Sequence, residues 1–351
     1  MQVLAGDIGG TKTLLAICEV THGGGGGGRV EVLEHRRYES SRYPGLGAIC
    51  REFAEDLRKP LPRIAGFGVA GPVKNGRCQT TNLPWVLDER DLAVTIGIDS
   101  VRLANDFHVL GLGIAAVRSQ DLVTLNEGVR DARGPWAIIG AGTGLGEAIS
   151  TLGASGHREV LATEGGHTSF APRNELEIGI LRFCLRRWEH VSWERLVCGE
   201  GLVNLVEALH EITGLRYPPE VAHLLLEDRA NAPAQITSSA VKGERLCVMA
   251  METFCSLYGA EAGNLALKTL ATGGVFIAGG IAPKVLDFLR DGRFREAFFG
   301  KGRMRPLLEQ MPVQVVLDQN AGLLGAAALA AREVAVQSSP ASHSSTTPGK
   351  S

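Results

Sequence analysis

The stretch GDIGGTKT, Gly6 to Thr13, is one letter short of the phosphate-binding pattern G-x-x-x-x-G-K-[ST]. Gly6, Lys12 and Thr13 fit, but Thr11 stands where the second glycine belongs. The residues after Thr13 separate the alternatives. A P-loop leads into a helix whose N-terminus faces the phosphate, whereas LLAICEV has strand composition. The device available is a strand, a tight turn and a strand, in which Gly9 and Gly10 let backbone N–H groups approach an anion and the Thr11 hydroxyl adds a directed donor. GAGTGLG repeats it about 130 residues later, with Gly142, Thr143 and Gly144 in the turn. Two such turns facing one another hold the phosphates of one nucleotide; singly, each reads equally well as a plain hairpin.

Carboxylates and amides stand near these turns. Asp7 ends the first strand, where it either engages Mg²⁺, directly or through water, or caps the turn. Lys12 reaches a phosphate or is a solvated turn residue. In LANDF, Asp106 follows an apolar strand and Asn105 precedes it: a catalytic base beside a substrate-orienting amide, or ordinary Asx turn chemistry. In ATEGGHTSFAP, Glu164 and His167 flank two glycines, a spacing that lets both side chains converge on one small ligand, the alternative being that His167 is an ordinary core or surface histidine. That mixture of donors and acceptors suits sugar hydroxyls, each of which gives and takes a hydrogen bond. One His and one Glu make half a metal site at most. Glu194, in HVSWERLVCGEGLVNL, reads locally as a charge at a helix N-terminus with Ser192 as its cap.

These residues need a scaffold to position them. At 351 residues the chain is long enough for two domains, and 44% hydrophobic with 21% charged residues is ordinary for a globular protein. A formal charge of -2 leaves no basic field for nucleic acid or anionic lipid, so small molecules are the expected partners. The seven cysteines are scattered and odd in number, which argues against a disulfide framework or a CxxC metal knuckle and for reduced core thiols in a cytosol. No cationic region precedes the first strand, and the most apolar stretch, Val275 to Ala282, is short and Gly-broken, so neither a secretory signal nor a membrane span is expected.

The pattern is three strands, with six glycines at 23–28 as a hairpin tip, then alternating helix and strand, an α/β arrangement. Helical spacing is expected over 45–59, 88–96, 106–116, 174–189, 200–212, 220–227 and 240–270. The third glycine stretch, TGGVFIAGGIAPKVL, reads as strand then helix, and the polar tail from about Gln337 reads as disordered.

With GDIGGTKT, TNLPW, LANDF, GAGTGLG, EGGHTSFAP, HVSWERLVCGEGLVNL, GGVFIAGGIAP and DQNAGLLGAA assembled, the sequence resembles the bacterial glucokinase family, in the superfamily of hexokinase and actin, from Gly6 to about Gly325. The resemblance implies a two-domain, actin-like (ribonuclease H-like) α/β fold with the active site in the interdomain cleft. A small domain over 1–106 would be completed by a C-terminal helix at about 319–335; a large α+β domain would span 107–318, with a disordered tail at 336–351. It implies ATP-dependent phosphorylation of D-glucose, with ATP and Mg²⁺ as cofactors, in a cytoplasmic homodimer. Carried over by motif, Asp106 is the general base and Asn105, Glu164, His167 and Glu194 are sugar ligands. Asp7, Gly9, Gly10 and Thr11 with Gly142, Thr143 and Gly144 form the phosphate segments; Gly279 and Gly280 touch the adenosine side. Lys12 departs from the asparagine that relatives often carry after GGT, which leaves its role open. Competing readings are a kinase for mannose, fructose or an N-acetylated hexose, a polyphosphate-using glucokinase, and a non-catalytic sugar sensor. The repressor and open-reading-frame kinases share the opening motif, but the Cys-rich zinc motif they usually carry does not follow His167.

Overall fold

The computed structural model describes residues 1–21, 29–80, 83–154 and 156–337. The six-glycine tip, Thr81 and Asn82 of TNLPW, and the expected tail beyond 337 lie outside the described residues. The chain divides into two compact units, Met1–Ala116 with the segment from Ala321 on, and Val117–Asn320.

The first unit opens with β1 (Gln2–Ile8), β2 (Lys12–Thr21) and β3 (Arg29–Glu39). Next come α1 (Leu46–Leu57), β4 (Ile64–Val69), the short β5 (Val73–Lys74), β6 (Arg77–Gln79) and β7 (Val86–Asp88), α2 (Glu89–Ile96), β8 (Ser100–Asn105) and α3 (Asp106–Ile114). The main sheet runs β3-β2-β1-β4-β8, with β1 antiparallel to β2 and parallel to β4. Alternation along β1 sends Leu4 and Ile8 to the face packed with Ile49 and Phe53 of α1. Val3 and Ala5 take the other face, covered by Leu323, Ala326, Ala327 and Ala330 of the C-terminal helix (Ala321–Gln337). Small residues let that helix lie against its neighbours: a Cβ at Gly66 of β4 would overlap the Ala326 carbonyl, and a Cβ at Gly113 of α3 the Ala321 carbonyl. Because α3 packs along this helix, the unit runs past the expected edge at 106.

The second unit contains β9 (Leu122–Asn126), β10 (Trp136–Ala141), β11 (Leu145–Leu152) and β12 (Arg158–Thr163). Helices α4 (Glu175–Leu185), α5 (Gly199–Thr213), α6 (Pro219–Glu227), α7 (Ala232–Val241) and α8 (Arg245–Thr269) come next. The unit closes with β13 (Gly274–Ala278), the short α9 (Leu286–Arg290), α10 (Arg293–Phe299) and α11 (Arg305–Glu309), and β14 (Val313–Val316). Its sheet runs β12-β11-β10-β13-β14-β9. Up to β14 this is the order of the first unit, with an antiparallel β10–β11 pair and a parallel β10–β13 pair. The repeat suggested by the two glycine turns is thus present strand for strand.

Helix α8 fills the core of this unit, and its buried Tyr258 hydroxyl accepts the Ala141 N–H at 3.1 Å, fixing the end of β10. Apolar spacing in the sequence runs the end of α7 into one longer helix over 240–270. A break at Lys242 to Glu244, with Gly243 at φ +87°, separates α7 from α8. All seven cysteines are free and buried.

Candidate active site

In the first unit the chain turns between β1 and β2. Gly9 N–H donates to the Lys12 carbonyl at 3.0 Å, and the turn is held from outside by Ser40. The buried Ser40 hydroxyl donates to the Gly9 carbonyl at 2.9 Å and lies 3.0 Å from the buried Thr13 hydroxyl, while Ser40 N–H donates to the Thr11 carbonyl at 3.1 Å. With the Gly9 and Thr11 carbonyls taken up, Gly9, Gly10 and Thr11 sit at the surface of the unit. Ser40 carries no signal of its own in the sequence; only its pairing with a turn some 30 positions earlier gives it meaning.

Asp7 stands one residue before the end of β1, and the turn is closed without its carboxyl. Burial raises its pKa and the Lys12 charge opposes that shift. A carboxyl that is costly to ionise alone is a natural partner for a cation. A Cβ at Gly322, at the start of the C-terminal helix, would sit 3.5 Å from Asp7 Oδ2, so the carboxyl faces that helix end.

Asn105 and Asp106 mark the passage from β8 to α3. Asn105 is the N-cap: its Oδ1 accepts Phe107 N–H at 2.9 Å and His108 N–H at 3.4 Å, and its Nδ2 donates to the Gly71 carbonyl at 3.3 Å. This fixes Asp106 as the first helical residue, a position where negative charge is favourable. Asp106 is half-buried. Burial and, second, the Asp106 charge push the nearby Cys78 thiol up.

In the second unit the turn between β10 and β11 is wired differently. Gly142 N–H donates to the Gly144 carbonyl at 2.8 Å, and Gly199 N–H, at the start of α5, donates to the Gly142 carbonyl at 2.9 Å. Leu145 N–H donates to Glu194 Oε2 at 2.9 Å. The other Glu194 oxygen lies 3.7 Å from His167 Nδ1, and His167 Nε2 lies 3.9 Å from Glu164 Oε2. Glu194 is thereby brought together with Glu164 and His167 in one cluster on one surface, the side chains of Glu164, His167 and Glu194 being 73%, 59% and 30% exposed. Backbone pairs hold it: Glu194 N–H to the Gly166 carbonyl at 2.9 Å and Trp193 N–H to the Thr168 carbonyl at 3.1 Å.

The helix reading of Glu194 is overturned. Residues 193–198 form turns, α5 starts at Gly199, and its N-cap is Cys198, whose Sγ accepts Gly201 N–H at 3.2 Å. Ser192 instead bridges to Ser169 as an isolated β-bridge. The Glu194 carboxylate thus spends its charge on the glycine turn rather than on a helix end. Gly279 also has a structural duty: at φ +82° it packs where a Cβ would meet the backbone of Ala141. A Cβ at Gly280 would have room, meeting Gln319 Oε1 only at 4.0 Å. Among the described residues no group of three His, Cys, Asp or Glu side chains could hold a metal ion, so a cation at Asp7 would need ligands from elsewhere.

The family model for glucokinase matches residues 4–333. A glucokinase of Nostoc sp. is 41% identical over 343 residues, covering 94% of this chain and 99% of that protein. The crystal structure of a glucokinase from an Antarctic psychrotroph superposes with a TM-score of 0.81 at 30% identity, covering 94% of this chain and 99% of the other. A ROK family glucokinase from Streptomyces griseus, solved in complex with glucose and AMPPNP, has a TM-score of 0.63 at 23% identity over 95% of this chain and all of its own, and so shares the fold. These relatives carry the actin-like fold of the sugar kinases, with its repeated sheet. Matched along nearly its whole length, the chain belongs to the glucokinase family.

Proposed function

We propose that this protein transfers the terminal phosphoryl group of ATP to the 6-hydroxyl of D-glucose, giving glucose 6-phosphate and ADP. Membership of the glucokinase family supports the reaction, and the joint presence of glucose and AMPPNP in the Streptomyces griseus relative supports both substrates. The observation that carries the site is Glu194. One of its oxygens accepts the Leu145 N–H that directly follows the glycine turn, and the other faces His167. A single carboxylate so ties a turn suited to phosphate to a cluster suited to sugar hydroxyls.

A sugar hydroxyl barely ionises near neutral pH, so a base must take its proton as the oxygen attacks phosphorus. Asp106 is that base, a contribution of about 10² to 10⁴ in rate. The new O–P bond forms as the bond to the bridging oxygen of ADP breaks, and the proton ends on Asp106. Asn105 has one amide hydrogen beyond its bond to Gly71 for a sugar hydroxyl. Glu164, His167 and Glu194 take the remaining hydroxyls, and a site built that way discriminates against an analogue lacking one by up to about 10⁴ to 10⁵. Gly9, Gly10 and Thr11 with Gly142, Thr143 and Gly144 offer N–H and hydroxyl donors to the phosphates, and Gly280 leaves room on the adenosine side. Mg²⁺ accompanying the nucleotide neutralises phosphate charge. Asp7 would hold it directly or through water, and one protein carboxylate with phosphates and waters suits that ion.

The buried free thiols accord with a cytoplasmic enzyme, and the family resemblance favours a homodimer. The test is a coupled assay over a panel of hexoses and donors. Glucose with ATP should give the highest kcat/KM; faster turnover of mannose or an N-acetylated hexose, or turnover with polyphosphate alone, would replace the reading with one of its rivals.

A further inference from the structure

Strand β11 buries a carboxyl that the reaction does not use. Glu147 is 1% exposed, and its partner Glu261 on α8 is fully buried. The two buried carboxyls are near enough for Glu261 to act on Glu147, and in each the Oε1 finds no hydrogen-bond partner. Two ionised carboxylates have no donor to offer one another; one proton between them would supply the missing hydrogen bond. The surroundings say which side keeps the proton. Glu261 Oε2 accepts Asn264 Nδ2 at 2.7 Å and its Oε1 lies 3.6 Å from Lys268 Nζ, so Glu261 is the better supported anion.

Glu147 also lies directly beneath the sugar-ligand loop. A Cβ at Gly165 would overlap Glu147 Oε2. Gly165 N–H donates to Thr163 Oγ1 at 3.2 Å, and that hydroxyl donates to the Glu147 carbonyl at 3.3 Å. Gly165 sits between Glu164 and His167, so whatever moves the Glu147 carboxyl moves the residue that joins the two proposed ligands.

We propose that Glu147, as a neutral acid, shares one buried proton with the Glu261 carboxylate, and that this pair is a positioning element holding the Glu164–His167 loop in its sugar-binding form. The proposal rests on the glucose reading for its effect on sugar affinity, but not for the proton itself. Burial, and second the Glu261 charge, push Glu147 up to about 8. The folded-state value is raised, so the pair keeps its proton at lower pH and loses it as pH rises through about 8. Other groups face the pair. Tyr258 of α8 is buried beside it, Lys268 lies on the same helix, and Lys301 donates to the Ala260 carbonyl at 2.8 Å and to Asn264. Lys301, itself lowered to about 8 by burial, has Arg173 and Glu177 beyond it; its loss of charge in the same window would add to the repulsion. Glu164, His167 and Glu194 occupy the surface above.

The experiment compares the full chain with Glu147→Gln, whose amide donates to Glu261 without titrating. Hydrogen exchange over 163–168, corrected for intrinsic rates, should accelerate in the unaltered protein above about pH 8 and stay level in Glu147→Gln. The glucose KM should rise by up to about tenfold per pH unit above that point in the unaltered protein. It should stay flat over the same range in the variant, with kcat profiles that coincide. Exchange and KM curves that superpose for the two proteins would overturn the proton pair, and Lys301 would then account for any shared rise. An exchange difference without glucose turnover at any pH would uphold the pair and fault the glucose reading instead.

Discussion

The two glycine turns occupy the same place in the same sheet order, yet they are braced by different chemistry. In the first unit the turn is locked by a neutral hydroxyl, Ser40, and the strand before it carries a half-buried carboxyl, Asp7. In the second, the strand position equivalent to Asp7 is Gly140, and the brace is the charged Glu194, which also faces His167. A repeated backbone device thus stands in two settings: in the first unit it lies beside the Asp7 carboxyl and in the unit that carries the proposed base, Asp106, and in the second it is tied through Glu194 to the proposed sugar ligands.

Substitutions that break one side of this contrast should leave the other intact. The largest effect is expected from Asp106→Ala, which should lower kcat by about 10² to 10⁴ in a coupled assay. Next comes Gly144→Ala. Its Cβ would overlap Glu194 Oε2 and break the bond to Leu145 N–H, raising the glucose KM by about 10- to 100-fold, since a hydrogen bond to a charged group contributes roughly 1.5–3 kcal/mol. Glu164→Gln should raise the glucose KM about tenfold, toward the low end of that range because the side chain is 73% exposed. Ser40→Ala acts in the first unit alone: it strips the Gly9 carbonyl and the buried Thr13 hydroxyl of a partner. A loss of about 1–3 kcal/mol in a denaturant titration is expected, with a weaker ATP KM and an unchanged glucose KM. Gly142→Ala is the smallest. A Cβ there meets nothing within 4 Å, so stability should change by no more than about 0.5 kcal/mol, and any larger change in ATP KM reports crowding of the phosphates themselves.

Much of this contrast can be read in the letters of the chain. Strand, glycine turn and strand are local events, so GDIGGTKT and GAGTGLG announce both turns, and β-rich runs announce β4, β8 and β13. What is missing from the letters is long-range or rests on weak signals. Ser40 looks like any polar residue after a strand, and its role comes from a turn distant in sequence. Cys198 loses to Ser192 as the expected cap because a thiol is a poor acceptor and cap preference favours a hydroxyl. Glu147 does leave a trace, the one charged residue in its strand; its partner Glu261 is more than 110 residues away, so no local pattern joins them. The convergence of Glu164 with His167 is legible because two glycines separate them, whereas the addition of Glu194 depends on the backbone pairing of 193–194 with 166–168.

The second unit holds three of the four proposed sugar ligands, Glu164, His167 and Glu194, and the first unit holds Asn105 and the proposed base, Asp106. This division of duties is tested most directly by calorimetric titration of glucose into Asp106→Ala beside the unaltered protein. The account predicts equal glucose Kd values within about threefold, despite the loss in kcat. A Kd weakened as far as turnover would show that Asp106 serves chiefly to bind the sugar, and would contradict the division of duties.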